Sequence, residues 1–231
     1  MNKSVSALIL AAGCGSRMNT SITKQKILLS GVSVLERSVA AFEKVSSVSE
    51  IIVVCREDEI DFAKEVTSFY PKVKKIVVGG GVRAESARIG FEAISENFGY
   101  VAIHDAARCL VSPEGIEAVI QDAYKYGAAT ASHSVYDSVK VTDVEGFITE
   151  SIKRSSVRLV QTPQIFRCDW YREALDNVDI KDPLITDDNS LLERIGKKVY
   201  ATETQRSNIK ITEISDVYYA EYLLRGEGEN A

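Results

Sequence analysis

An apolar stretch that runs directly into a loop of small residues constrains the fold of this chain more than any other feature. Residues 8–18 read LILAAGCGSRM, and Lys24 follows six residues later. Glycine and alanine leave room for a flat ligand and let phosphate oxygens approach backbone N–H groups. Arg17 and Lys24 place positive charge where a polyphosphate would lie. The stretch therefore predicts a strand followed by a loop that binds a polyphosphate.

The loop matches neither of the two common phosphate-binding motifs. A P-loop requires the pattern GxxxxGK[ST], and no lysine followed by serine or threonine stands at that spacing. A dinucleotide-binding loop requires GxGxxG, and Met18 occupies the position of the third glycine. A strand followed by GxG alone is also typical of an ordinary tight turn before a helix, which is the alternative to a phosphate-binding loop. Arg17 and Lys24 favour the phosphate-binding interpretation over that turn.

Strand-like and helix-like stretches alternate through the first half of the chain. Strands are predicted at residues 5–10, 50–55, 75–78, 100–104 and 128–133. The capping box of Ser33 and Glu36 predicts the start of one helix, and Ser112 before a proline predicts another. An apolar stripe over residues 60–69 predicts a further helix. This alternation predicts an α/β fold, with one domain over residues 1–231 built on a doubly wound, mostly parallel sheet.

Three of the predicted strand ends carry chemically unusual residues. The opening loop, the three glycines at 79–81 and Asp105 each follow a predicted strand. In sheets of this kind ligands bind at the carboxyl ends of the strands, so these positions predict one shared site. Gly80 leaves space for a nucleobase or a ribose, and Ser86 can hydrogen-bond a base edge. A simple loop before a helix is the alternative there.

Asp105 stands where a metal ligand is expected. A carboxylate beside a polyphosphate suits Mg²⁺, which takes few protein carboxylates together with phosphate oxygens. A helix N-cap or a partner for Arg108 is the alternative for Asp105. We expect the neighbouring His104 to pack or hydrogen-bond within the fold rather than to act as a base.

The alternation of strands and helices breaks in the second half of the chain. Residues 137–142 and 147–152 each alternate polar and apolar side chains on either side of the turn at 143–146. This pattern predicts a protruding β-hairpin arm at about 135–155. Two strands are not stable alone, so we expect another subunit to cover them.

The last third of the chain is predicted to return to the sheet and to close with a helix. A strand is expected at 157–161, short strands at 199–202 and 209–211, and the closing helix at 213–224. Lys210 lies inside the last short strand. It is a second phosphate-binding cation if it points into the site, and a solvated lysine of an edge strand if it does not.

Composition excludes several classes of function. The formal net charge of −5, with dispersed basic residues, does not favour nucleic-acid binding. The apolar run at the amino terminus is too short to span a membrane. The four cysteines form no CxxC pair, so reduced, structural thiols are expected. We therefore expect a cytoplasmic protein that binds neither nucleic acid nor membrane.

Six motifs of the chain, in order, resemble those of sugar-phosphate nucleotidyltransferases and, among them, the 2-C-methyl-D-erythritol 4-phosphate cytidylyltransferase family. They are residues 10–18 with Lys24 and Gln25, residues 79–86, residues 104–108, residues 137–140, residues 161–164 and residues 208–212. Each motif alone is modest, but six in order over nearly the whole chain are specific. The resemblance implies a nucleotidyltransferase-like variant of the Rossmann fold.

The same resemblance implies an activity and an assembly. It implies transfer of CMP from CTP to methylerythritol phosphate with release of pyrophosphate, in the non-mevalonate isoprenoid pathway. It also implies Mg²⁺ and a homodimer in which the hairpin arm reaches the neighbouring subunit's site. The implied residues are Arg17, Lys24 and Lys210 on the phosphates, Ala11, Ala12, Gly13, Gly80 and Ser86 around the cytidine, Asp105 at the metal and ribose, Arg108 on the acceptor, and Ser138 and Arg154 on the acceptor from the arm.

Four positions depart from the family's pattern. Thr23 stands where the family often has proline, and Cys109 stands where proline commonly follows the arginine. Ser138 replaces the usual threonine, so the hydroxyl survives and a methyl group is lost. Ser207 replaces an acidic residue that is often seen before the Asn-Ile-Lys motif, so it offers no second carboxylate. None of these departures removes a cation or Asp105.

Two other functions stay open at this point. Ribitol-5-phosphate cytidylyltransferases tend to resemble AGG and DAVR where residues 11–13 and 105–108 read AAG and DAAR, which favours methylerythritol phosphate. A non-catalytic nucleotide-binding module is the second alternative, and the retained cations argue against it. The adjacent acids Asp187 and Asp188 lie in another segment and are not expected to be ligands.

Overall fold

The computed structural model describes residues 2–13, 23–95 and 98–228. Its strands are β1 (Val5–Leu10), β2 (Leu28–Leu29), β3 (Val32–Ser33), β4 (Val48–Cys55), β5 (Val73–Val78), β6 (Tyr100–Asp105), β7 (Ala128–Ser134), β8 (Val139–Thr142), β9 (Ile148–Ile152), β10 (Arg158–Arg167) and β11 (Tyr200–Glu203). Its α-helices are α1 (Val34–Glu43), α2 (Ile60–Thr67), α3 (Arg83–Glu92), α4 (Pro113–Tyr126), α5 (Cys168–Asn177), α6 (Asp188–Arg194) and α7 (Ile214–Gly228).

Seven of these strands form the central sheet, in the order β11–β7–β10–β6–β1–β4–β5. The pairs β1–β4, β1–β6, β4–β5 and β11–β7 are parallel. β10 runs antiparallel to both of its neighbours, β6 and β7. The prediction of an α/β fold with a mostly parallel sheet is confirmed.

Helices cover both faces of this sheet, which explains why β1 reads as a continuous apolar run. Ala7 and Ile9 pack in a cluster with side chains of α1, α2 and α4. Leu8 and Leu10 pack in a second cluster with side chains of α3, α5 and α6. Because successive residues of a strand face opposite sides, a strand that is covered on both faces needs apolar residues at every position.

The two helix starts that the sequence marks are confirmed. Ser33 Oγ accepts the backbone N–H of Glu36 at 3.2 Å, at the start of α1. Ser112 Oγ accepts the backbone N–H of Gly115 at 3.0 Å, and Pro113 occupies the first turn of α4. These caps satisfy N–H groups that have no partner within the helix.

The helix predicted over residues 60–69 is shorter than its apolar stripe indicates. α2 ends at Thr67, and the side chain of Phe69 lies beyond it and is 88% exposed. Thr67 Oγ donates to the carbonyl of Ala63 at 2.6 Å, and Ser68 Oγ donates to that of Glu65 at 2.9 Å. Side-chain hydroxyls that bond to nearby carbonyls compete with the next helical turn.

The short strand predicted at residues 209–211 is wrong. The backbone N–H of Ile209 bonds to the carbonyl of Ser207, and that of Ile211 bonds to the carbonyl of Ala107. The segment is therefore a loop, although Ile211 is fully buried. Its apolar side chains fill a small cluster beneath α7 instead of one face of a strand.

The pairing predicted for the hairpin is present. β8 and β9 pair antiparallel in a sheet of their own, joined by a turn with Gly146 at φ +94°. Val144 and Phe147, at the turn, are exposed. That this hairpin (β8–β9) serves as an arm between subunits stays a prediction.

Three cysteines fall within the described residues, and each carries a free thiol. Burial raises the pKa of Cys55 to about 11, and the pKa of both Cys109 and Cys168 to about 12. Thiols with such values hold little thiolate at neutral pH and are poor nucleophiles. Along the described part of the chain, no helix has the length and apolar character needed to cross a membrane.

Gly127 ends α4 and generates a prediction for stability. Its φ is +88°, and a Cβ atom there would lie 2.4 Å from the Trp170 ring. Gly196, at φ +73° after α6, has no neighbouring atom within 4 Å of such a Cβ. We expect Gly196→Ala to lower the free energy of unfolding by about 1–2 kcal/mol, because an L-residue is strained in this conformation. Gly127→Ala should cost about 1–3 kcal/mol more, because the ring must also move.

Chemical denaturation of both variants and the wild type measures this difference. Equal losses for Gly127→Ala and Gly196→Ala would contradict the steric role of Trp170.

Candidate functional site

A cleft of about 350 Å³ opens at the carboxyl edge of the central sheet. β1, β5 and β6 all end there, as the sequence pattern predicts. The residues that line this cleft are Leu10, Ala12, Gly13, Lys24, Gln25, Gly80, Gly81, Val82, Arg83, Ser86, Asp105, Ala107, Lys210 and Thr212. Its lining therefore combines small residues and backbone from the loops with a few charged side chains.

The glycine loop after β5 is held in place by the first turn of α3. Ser86 Oγ accepts the backbone N–H of Gly80 at 3.1 Å, and a carboxylate oxygen of Glu85 accepts that of Gly81 at 2.9 Å. A Cβ on Gly79 would lie 2.6 Å from Ala12 Cβ, and a Cβ on Gly80 would lie 2.5 Å from Glu85 Cβ. Glycine is thus required because the loops after β1 and β5 and the start of α3 approach closely.

Asp105 forms two ion pairs at the base of the cleft. Arg83 Nε donates to Asp105 Oδ1 at 2.9 Å, and Lys210 Nζ donates to Asp105 Oδ2 at 2.6 Å. The backbone N–H of Asp105 donates to Thr162 Oγ at 3.0 Å. Asp105 is therefore neither a helix N-cap nor a partner for Arg108, and Lys210 points into the site.

The ion-pair network continues behind the cleft. Arg83 Nη1 donates to Asp188 Oδ2 at 2.6 Å, and Tyr171 Oη donates to Asp188 Oδ1 at 2.7 Å. Asp188 is 1% exposed and Tyr171 is fully buried. Asp188, which the sequence does not mark as part of the site, is thus connected to Asp105 through one guanidinium group.

The network fixes the charge states of its members. Burial alone would raise the pKa of Asp105, but the charges of Arg83 and Lys210 outweigh it and hold that pKa well below its usual range. Burial alone would lower the pKa of Arg83, but Asp188 and Asp105 outweigh it and raise that pKa further. Asp105 is therefore a carboxylate, and Arg83 a cation, throughout the physiological pH range.

Lys24 and Gln25 form the other side of the cleft. They belong to a short 3-10 helix, Lys24–Lys26, that follows the opening loop. Gln25 is buried, and its side-chain amide donates to the carbonyl of Ala11 at 2.6 Å. This bond ties the turn that carries Lys24 to the end of β1.

The structure brings together most of the predicted nucleotide-site residues. The cleft is lined by Ala12, Gly13, Lys24, Gly80, Ser86, Asp105 and Lys210. Ala11 is fully buried beneath the cleft. Arg17 and Cys14 lie outside the described residues. Of the residues that the family resemblance places on the acceptor, Arg108, Ser138 and Arg154, none lines the cleft.

Arg108 is a cation without a carboxylate partner among the described residues. Its Nη1 donates to the backbone carbonyl of Asn208 at 2.9 Å, and its Nε is buried without a hydrogen-bond partner. Burial lowers the pKa of Arg108, although Asp105 acts in the opposite direction. A partly buried guanidinium that no carboxylate of the described residues neutralises is suited to bind an anion.

Ser138 and Arg154 both lie at the open end of the hairpin, beyond the pair of Val139 with Ile152, and both are exposed. An Nη atom of Arg154 donates to the backbone carbonyl of Tyr136. In the single chain these two side chains therefore lie on the exposed surface of the hairpin and do not line the cleft of the same chain.

Two residues of the site, Arg83 and Asp188, are not among those predicted from the sequence. Arg83 belongs to the motif at residues 79–86, so its spacing after the glycines was a usable signal. Asp188 begins α6, which packs beside α5 on one face of the sheet. No local pattern indicates that this acid, 105 residues from Arg83, reaches the guanidinium.

Among the described residues, the cleft offers a metal ion one carboxylate ligand, Asp105. In the part of the chain that the structure describes, no three His, Cys, Asp or Glu side chains are grouped to hold a metal. Asp105 uses each carboxylate oxygen once, and a carboxylate has about four acceptor positions. Asp105 can therefore give Mg²⁺ an oxygen if phosphate oxygens and water supply the others, which suits this ion.

His104 is buried and hydrogen-bonded, as predicted. Its Nδ1 lies 3.1 Å from Thr162 Oγ, and its ring packs on Phe42 at a centroid distance of 5.0 Å. Burial lowers the pKa of His104 to about 3. The imidazole is therefore neutral at neutral pH and lies outside the lining of the cleft.

His104 generates a prediction for the pH dependence of stability. Below pH of about 6.5 the unfolded chain binds a proton at His104 and the folded chain does not, so stability falls as the pH falls. We expect His104 alone to lower the free energy of unfolding by up to about 1.4 kcal/mol for each pH unit of decrease between pH 6.5 and 4. His104→Gln should remove that part of the slope. Thr162→Val, which keeps the imidazole, should lower stability without changing the slope, and an unchanged slope in His104→Gln would contradict the assignment.

Comparison with known proteins identifies relatives over nearly the whole chain. A family model described as IspD, 2-C-methyl-D-erythritol 4-phosphate cytidylyltransferase, matches residues 5–226. A protein of that name from Clostridium acetobutylicum is 38% identical over 222 residues, which cover 95% of this chain and 96% of that protein. Another from Caldanaerobacter subterraneus subsp. tengcongensis is 39% identical over 224 residues, which cover 96% and 99%.

Solved structures give the same result. The chain is similar to 4-diphosphocytidyl-2C-methyl-D-erythritol synthase from Anaerococcus prevotii, with a TM-score of 0.87, 29% identity and coverage of 96% of this chain and 99% of that one. It is also similar to 2-C-methyl-D-erythritol 4-phosphate cytidylyltransferase from Thermus thermophilus, with a TM-score of 0.74, 30% identity and coverage of 97% and 100%. The chain belongs to the 2-C-methyl-D-erythritol 4-phosphate cytidylyltransferase family.

Proposed function

We propose that this chain transfers CMP from CTP to 2-C-methyl-D-erythritol 4-phosphate, which releases pyrophosphate and forms 4-diphosphocytidyl-2-C-methyl-D-erythritol. The observation that carries the proposal is the cleft, in which Lys24 and Lys210 face a pocket of glycine and alanine next to Asp105. Cations beside small-residue loops suit a nucleoside triphosphate. Family membership then favours CTP and methylerythritol phosphate as the substrates.

The small residues of the cleft would bind the cytidine. Ala12, Gly13 and Gly80 leave space for the flat base and the ribose. Ser86 Oγ accepts the N–H of Gly80 at 3.1 Å, and its O–H makes a long hydrogen bond of 3.5 Å to the Gly80 carbonyl, which an acceptor atom of the base would replace. Ala11 would support this pocket indirectly, because its carbonyl anchors Gln25.

The cations would stabilise the transferring phosphate. An oxygen of the acceptor's phosphate attacks the α-phosphorus of CTP, and the bond from that phosphorus to pyrophosphate breaks. Two anions must approach, so Arg17, Lys24 and Lys210 would reduce their repulsion and stabilise the charge that develops. No protein nucleophile is needed.

A divalent metal fits the same cleft. When bound, Mg²⁺ would neutralise part of the triphosphate's charge. Asp105 would hold it through one oxygen while it orients Lys210 and Arg83. The ion pair between Asp105 and Lys210, at 2.6 Å, would hold that cation beside the α-phosphate.

The acceptor would lie between the cleft and a second subunit. Arg108 follows the cleft residue Ala107 and has no carboxylate partner among the residues described, so it would bind the acceptor's phosphate. Ser138 and Arg154 are exposed on the hairpin, and in a homodimer the hairpin of one subunit would bring them to the other subunit's site. The free thiols of the described residues and these substrates support a cytoplasmic location for the proposed enzyme.

Turnover with two acceptors tests the proposed function. We expect pyrophosphate release from CTP and Mg²⁺ with methylerythritol phosphate, and much slower release with ribitol 5-phosphate. Faster turnover of ribitol 5-phosphate would assign the alternative cytidylyltransferase activity. CTP binding without pyrophosphate release on either acceptor would indicate a non-catalytic module.

The two lysines of the cleft test the proposed catalytic roles. Lys24→Ala and Lys210→Ala should each lower kcat by about 10²–10³-fold without loss of the fold. Unchanged kcat in both variants would contradict the roles given to them.

Mixed dimers test whether the hairpin acts across subunits. Lys210→Ala disables the cleft of its own subunit, and Arg154→Ala disables the hairpin that it carries. If the hairpin serves the neighbouring subunit, a mixed dimer of the two variants regains one intact site. We expect an equilibrated equal mixture to recover about one quarter of wild-type activity, since about half of the dimers are mixed. A mixture no more active than the separate variants would show that each hairpin serves its own cleft.

A further inference from the structure

Asp188 occupies a position that the proposed reaction leaves unexplained. It is 1% exposed, it begins α6, and it does not line the cleft. Both oxygens of its carboxylate nevertheless accept a hydrogen bond, Oδ2 from Arg83 Nη1 at 2.6 Å and Oδ1 from Tyr171 Oη at 2.7 Å. Its backbone N–H donates to Gln164 Oε1 at 3.1 Å, which fixes the start of α6 to β10. A buried carboxylate held from three sides has a defined orientation.

Arg83 is divided between two carboxylates. Its Nε binds Asp105 Oδ1 at 2.9 Å, while its Nη1 binds Asp188 Oδ2 at 2.6 Å. A guanidinium that has one carboxylate partner can grip it with two parallel N–H groups. Asp188 holds Nη1 on the other side of the guanidinium, which fixes the group in an orientation where Nε alone binds Asp105. The second oxygen of Asp105 then accepts Lys210 at 2.6 Å.

We propose that Asp188 is a positioning residue for the nucleotide site, which acts through Arg83 on Asp105 and Lys210 without touching the substrate. This inference rests on the proposed function, because Lys210 is the group that contacts the α-phosphate. Without the charge of Asp188, Arg83 turns to bind both oxygens of Asp105. Lys210 then loses its anchor and is displaced from the position where it stabilises the transferring phosphate.

A double-mutant cycle between Asp188 and Lys210 tests the proposal. In the wild-type background we expect Asp188→Asn to lower kcat with CTP and methylerythritol phosphate by about 10–100-fold, as a misplaced group does. In the Lys210→Ala background the same change should cost less than about twofold, because the cation that Asp188 positions is already gone. A purely structural role would give the same factor in both backgrounds, and that result would overturn the proposal.

Two further variants keep the test decisive. Glu50 is another buried carboxylate, which accepts hydrogen bonds from Ser6 and Ser95 near the amino end of β4, away from the cleft. Glu50→Gln should lower stability while its effect on kcat, if any, is equal in both backgrounds. Tyr171→Phe removes only the hydrogen bond to Asp188, so it replaces Asp188→Asn if that variant does not fold. It should give a loss of several-fold that disappears with Lys210→Ala.

Failure of the proposed function is distinguishable from failure of this inference. If the wild type turns over neither acceptor, the proposed function fails. The CTP affinities of the wild type and of the same variants are then measured by calorimetry in the presence of Mg²⁺. A loss of affinity in Asp188→Asn that vanishes in the Lys210→Ala background still supports positioning by Asp188. Additive losses of affinity would overturn it.

Discussion

The carboxylate of Asp105 holds the site together. It is nearly buried, and its two oxygens form ion pairs with two cations, Arg83 of α3 and Lys210 of the loop before α7. A buried carboxylate is stable only when such partners compensate for its lost hydration. Arg83 and Lys210 do so here, and each is drawn to the carboxyl edge of the sheet by the same group. The positions of α3 and of the loop that carries Lys210 therefore depend on one side chain at the end of β6.

Much of this arrangement could be predicted from the sequence because it follows local rules. The alternating strands and helices, the caps at Ser33 and Ser112, and the glycine loop after β5 all depend on neighbours in the chain. Parallel strands then bring the ends of β1, β5 and β6 to one edge. The lining of the cleft by Ala12, Gly80, Asp105 and Lys210 follows from that rule together with the family motifs.

The remainder depends on contacts between distant segments. Residues 209–211 have the apolar pattern of a strand, but Ile211 is buried beneath α7 and the backbone bonds to Ala107. The pairing of Arg83 with Asp188 connects residues 105 positions apart. Neither periodicity nor spacing carries that information, since several acids stand at similar distances along the chain. The partner of a buried charge is decided by packing, which a single sequence does not display.

Along the chain, the last strand of the central sheet comes before the last residue of the nucleotide site. Its last strand, β11, ends at Glu203, whereas Lys210 lies in the loop that follows. During synthesis, every strand of the central sheet therefore leaves the ribosome before the lysine that binds Asp105. A nascent chain can assemble its core while Asp105 and Arg83 still lack this cation. Lys210 therefore completes the ion pairs of Asp105 only after the last strand of the central sheet has been made, so this cation joins a cleft whose strands are already present.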